Sequence, residues 1–102
     1  MLERLESLLA SGQDSPMLRL SLAQGYIKES RYEEAVEHLR QALEQQPDYS
    51  AAWKSLGQAL AAAGDPDGAR AAFDDGIRIA RENGDLQAAK EMEVFRKRLD
   101  KP

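Results

Sequence analysis

Sliding the sequence along itself by 34 residues lays LRLSLAQGYIKESRYEEAVEHLRQAL, residues 18 to 43, on AWKSLGQALAAAGDPDGARAAFDDGI, residues 52 to 77. Ser21, Leu22, Gln24 and Ala35 fall on Ser55, Leu56, Gln58 and Ala69. Residue size is kept where identity is not: Ala23 falls on Gly57, Tyr26 on Leu60, Ser30 on Gly64, Leu39 on Phe73, Ala42 on Gly76 and Leu43 on Ile77. A repeat of this length holds one supersecondary unit that cannot bury its apolar face alone, so its copies must stack.

The punctuation inside each unit says what the unit contains. Apolar spacing and stop signals predict six helices, roughly 2 to 11, 16 to 29, 32 to 46, 50 to 63, 66 to 82 and 85 to 99. Ser15 before Pro16 and Asp65 before Pro66 follow one rule, an N-cap side chain and then a proline whose missing N–H costs nothing in the first turn. Gly12, Gly64 and Gly84 stand where helices should end in a left-handed residue. No segment alternates with period two, so no strand is predicted.

Composition narrows the function classes. The 102 residues suit one domain with a core of its own, and the absence of cysteine excludes disulfides, thiolate nucleophiles and cysteine-held metals. A net charge of −4, with 14 basic and 18 acidic residues interspersed, offers no field for phosphates and argues against nucleic acid. Glu3, Arg4 and Glu6 interrupt the segment where a signal peptide needs its apolar core, and no apolar run is long enough for a membrane span. The expected setting is the cytoplasm, with no membrane partner.

A unit of 34 residues with Trp53, Leu56, Gly57, Leu60, Ala69, Phe73 and Gly76 at these spacings resembles the tetratricopeptide repeat. Leu22, Ala23, Tyr26, Ala35, Leu39, Ala42 and Pro47 match the preceding copy; Arg19 and Arg81 depart from the family pattern, which favours a large residue at the first and proline at the second. The resemblance implies an all-α fold, a short right-handed α-solenoid of antiparallel helix pairs. Units 16–49 and 50–83 would lie between a capping helix in 1–14 and another in 84–102. Within the second unit Gly57 is expected against Ala69 and Phe73, where the missing side chain lets two helices approach. The closing helix is expected to dock through Ala88, Met92, Phe95 and Leu99, since Lys90 and Glu91 stand where Leu56 and Gly57 stand one unit earlier.

Catalytic and metal chemistry find little to rest on. His38 has Glu34 one turn before it, but two ligands do not make a metal site, and a solvent-facing helix residue is the expectation. The GDPDG segment lacks the first ligand of a calcium loop, and Pro66 suits a helix start better. Asp74 with Asp75, and Glu33 with Glu34, are consecutive helical residues that point about 100° apart and cannot face one bond. Neither an enzyme, a cofactor nor a metal is therefore expected.

What the resemblance implies instead is protein binding, with a peptide or helix of a partner cradled on the concave face built from the first helix of each unit. The residues expected there are Met17, Leu20, Gln24 and Lys28, then Ala51, Lys54, Gln58 and Ala62, with Ala88 and Met92 continuing the surface. Leu20, Gln24, Ser55, Asp85 and Ala89 occupy the positions of the family's carboxylate clamp, so the partner is not expected to be a chaperone C-terminal tail. The alternative is a structural role, in which the chain self-associates or docks in a larger complex through the edge formed by Met92, Phe95 and Leu99. A monomer, at most weakly dimeric, is expected.

Overall fold

The structure, a computed structural model, describes residues 1–101. These form six helices and no strand: α1 (Leu2–Ala10), α2 (Pro16–Lys28), α3 (Tyr32–Gln45), α4 (Ser50–Ala62), α5 (Pro66–Glu82) and α6 (Leu86–Leu99). The proline starts hold to the residue, because the Ser15 hydroxyl accepts from the Leu18 N–H and the Asp65 carboxylate from the Gly68 N–H. Each satisfies a donor that the first turn would otherwise leave free. The stops hold as well, with φ of 94° at Gly12, 88° at Gly64 and 77° at Gly84. Ser30, the counterpart of Gly64 in the earlier unit, takes the same left-handed conformation with φ of 59° despite its side chain.

Each helix packs on the next in sequence, and α2 also touches α4, which touches α6. The even helices therefore share one layer and α3 and α5 lie in the other, in a body of 41 × 30 × 18 Å. Between the layers Phe73, Leu22, Leu39, Leu56 and Met92 are the largest side chains sealed from water. Burying each contributes about 1.5–3 kcal/mol of transfer free energy.

Glycine sets how closely the layers meet. The Phe73 ring occupies the space that a Cβ on Gly57 would take, so α4 and α5 approach as the repeat pattern requires. Phe73 in turn stacks on Phe95 of α6, with ring centroids 6.0 Å apart. At Gly76 a Cβ would lie 2.6 Å from Met92 Sδ and 2.7 Å from Trp53 Cβ, and this gap admits the Met92 side chain between α4 and α5. The expected docking stripe of α6 is thus present: Ala88 and Met92 are buried, and Phe95 and Leu99 pack against the core.

Side chains also tie successive turns together. Trp53 Nε1 donates to the Pro47 carbonyl at 2.8 Å, fixing the turn between α3 and α4. Asn83 Nδ2 reaches the Asp48 carbonyl at 2.9 Å, and Ser50 Oγ reaches Asp85 at 3.0 Å, both across 35 residues of sequence. The loops at one end of the stack are joined by these contacts.

Candidate partner-binding cleft

Because α2 and α4 lie side by side, residues one turn apart on each come to line a common surface. An open cleft of about 590 Å³ is found there. Gln24 and Lys28 of α2 and Lys54 and Gln58 of α4 supply its polar groups, while Leu5 of α1 and Ile27 supply apolar wall. The neighbouring Gly25 leaves room for the Leu2 side chain, which seats α1 against α2 at the cleft margin. Every polar side-chain atom buried among the described residues has a hydrogen-bond partner, so the cleft carries no orphaned polar group that demands a ligand.

The lysines differ in their surroundings. Lys54 Nζ lies 3.1 Å from Glu91 Oε1 of α6, with the two side chains 31% and 44% exposed. Lys28, at the other side, is exposed and makes no ion pair among the described residues. An acidic group entering the cleft would meet one free cation and one held by an internal carboxylate.

The remaining expected residues divide by burial. Ala62 and Met17 are exposed and Ala51 is half-buried, although Met17 belongs with Asp14 and Leu18 to a separate cleft between α1 and α2. Leu20, Ala88 and Met92 require correction, since all three are buried in the core and offer a partner almost nothing. For Met92 and Ala88 the cause is the roll of α6: the Met92 side chain fills the space at Gly76, and the same face carries Ala88 into the core while Glu91 turns toward α4. Glu91 is accordingly the α6 residue that reaches the cleft's lysine, in place of the expected Ala88 and Met92. Of the clamp positions, Leu20, Ser55 and Ala89 are buried, and Asp85 is engaged as the N-cap of α6.

His38 also needs correction, because it is not simply a solvent-facing residue. Its ring stacks on Tyr26 at 5.4 Å with an interplanar angle of 6°, and Arg19 Nη1 lies 3.0 Å from Nδ1. A guanidinium can only donate, so Nδ1 accepts and the ring is neutral with its proton on Nε2. Burial, with the Arg19 charge beside it, holds the His38 pKa below its ordinary value. The same Arg19 grips Asp14 through Nε and Nη2, and this pairing lowers the Asp14 pKa to about 2. On the far side of Tyr26, Arg31 lies 4.6 Å over the ring and the phenol donates to Glu6 at 2.7 Å; burial above all raises the Tyr26 pKa to about 12. The cluster joins α1, α2 and α3 as a structural clasp. Among the described residues no three His, Cys, Asp or Glu side chains gather as metal ligands, and no helix is long and apolar enough to cross a membrane.

This geometry has close counterparts. The tetratricopeptide repeat family pattern matches residues 26–92. A TPR repeat-containing protein of Pseudomonas aeruginosa is 50% identical over 101 residues, covering 99% of this chain and 96% of that protein. The solution structure of a Bordetella parapertussis protein superposes with a TM-score of 0.86 at 44% identity, over 97% of this chain and 86% of the other. The Sgt2 TPR domain from Aspergillus fumigatus superposes with a TM-score of 0.80 at 29% identity, over 95% of this chain and 64% of the other. Two copies of a 34-residue pattern, helices paired at Gly57 and Phe73, and these relatives lead to one conclusion: the chain belongs to the tetratricopeptide repeat family.

Proposed function

We propose that this protein binds a segment of a partner protein in the cleft between α2 and α4, as an interaction module of two repeat units (16–49 and 50–83) flanked by helices that cap them. Tetratricopeptide repeat domains generally mediate protein–protein interaction. The observation that carries the finer reading is the convergence of Gln24, Lys28, Lys54 and Gln58 on one open cleft beside Leu5 and Ile27. Amides can pair with the peptide groups of a bound segment, the apolar wall suits one anchoring side chain, and the lysines suit one acidic group. Binding in this form needs no cofactor and no chemistry. A chaperone C-terminal tail is a poor match, because the positions of the clamp offer buried Leu20, Ser55 and Ala89 and no arginine.

The test is Lys54→Glu combined with Gln58→Ala, in protein whose circular dichroism is unchanged. Partner capture from native lysate should be lost. Capture that persists at wild-type level would move the interface to another face.

A further inference from the structure

The solvent face of α6 carries a stripe with one sign of charge. Leu86, Lys90, Val94 and Lys97 follow one another at spacings of four, four and three, which keeps them on one side of α6, and Lys101 lies just past the C-cap Asp100. All are exposed, Leu86 at 59% and Val94 at 49%. The acids of this segment are engaged elsewhere, Glu91 with Lys54, Glu93 with Arg81, and Asp100 with Arg70 and Arg96. Lys90, Lys97 and Lys101 make no ion pair among the described residues.

The complementary stripe lies on α3. Glu33, Glu37 and Glu44 are exposed and also unpaired among the described residues. Run antiparallel, α3 and α6 bring Lys90 opposite Glu44 and Lys97 opposite Glu37 in a single register, with Lys101, just beyond the end of α6, on the side of Glu33. Seven residues between two charges span about 10.5 Å on either helix, so the Lys90–Glu44 and Lys97–Glu37 pairs can form together. In that register Val94 faces the aliphatic stems of Arg40 and Gln41. These two residues rim an open cleft of about 510 Å³ whose floor includes Trp53 and Leu43. Arg40 is the one cation on that rim.

We propose that α6 of one molecule docks antiparallel on α3 of a second copy of this chain, with the lysine stripe on the glutamate stripe and Val94 at the Trp53 cleft. The interface is small and polar, which makes the association weak and sensitive to salt. It joins unlike surfaces, so each contact leaves a free α3 and a free α6 unless a two-fold arrangement closes the pair.

Sedimentation of the full chain from about 10 μM to about 1 mM tests this, at about 20 mM and about 500 mM salt. The weight-average mass should rise with concentration at low salt and fall back at high salt. Reversing the lysines (K90E, K97E and K101E) or the glutamates (E33K, E37K and E44K) should each weaken self-association roughly tenfold or more. An equimolar mixture of the two reversed proteins restores both contacts and should associate again. Circular dichroism verifies folding, and a neutral variant (K90Q, K97Q and K101Q) should be weakened likewise if the triple reversal unfolds α6. A wild-type chain that stays monomeric across the range overturns the proposal, as does a dimer unchanged by either reversal. A mixture that stays monomeric overturns the register.

Discussion

Lys54 of α4 and Glu91 of α6 face each other at 3.1 Å, joining two helices that lie one repeat apart, at the edge of the cleft. The pair is about a third exposed on one side and more on the other, so its own contribution to stability is small, about 0.2–1 kcal/mol. Lys54→Glu should place two carboxylates together, and Glu91→Lys added to it should recover most of the loss. Chemical denaturation of the single and double variants gives the coupling, and additive losses would contradict a direct pair.

Met92 and Gly57 are core positions by their contacts, with Met92 filling the gap at Gly76 and Phe73 covering Gly57. Met92→Ala should cost about 2–5 kcal/mol by leaving a cavity. Gly57→Leu should cost about 3 kcal/mol or more by overpacking, well beyond Ala63→Leu at an exposed site. Urea denaturation measures all three, and a loss below about 0.5 kcal/mol at Met92 would return it to the surface.

Ser30 holds a left-handed backbone conformation that glycine holds in the next unit. Ser30→Gly should stabilise the protein by about 0.5–1 kcal/mol, as relief of the strained residue outweighs the added freedom of the unfolded chain. A thermal melt that moves downward would contradict the left-handed assignment.

The His38 pKa is lowered in the folded state, so below the ordinary value of 6.5 the unfolded chain takes up protons more readily than the folded one. Stability from this residue is complete above about pH 6.5 and declines as the pH falls toward the lowered folded value, where a second cation would sit beside Arg19. The Asp14 contribution is lost separately, between 3.8 and about 2. Denaturation at about pH 7.5 and about pH 5.5 should show wild type losing more stability than His38→Gln. Equal losses would mean that His38 titrates as in the unfolded chain.

These residues show how far the sequence reaches. Helix starts at Pro16 and Pro66 and stops at Gly12, Gly64 and Gly84 were legible because each rests on the local chemistry of one or two residues. The pairing at Gly57 was legible because the 34-residue repeat carries it. The roll of α6 was not. The sequence supported two expectations for Ala88 and Met92, docking and groove lining, and a helix face cannot serve both. Three-dimensional space at Gly76 decides for docking, and the presence of Lys90 and Glu91 in place of leucine and glycine was the available signal. His38 escaped for a related reason: its partners Tyr26 and Arg19 lie a helix away, where local spacing is silent.

Site-specific photo-crosslinking reports directly which face of the stack a partner occupies. A benzophenone amino acid placed singly at Gln24 or Gln58 lies in the cleft, and one at exposed Arg78 lies on the other layer of the stack. Mixed with native lysate and illuminated, the first two positions should trap the same partner band and Arg78 should not. Trapping at Arg78, with none at Gln24 and Gln58, would contradict a partner seated between α2 and α4.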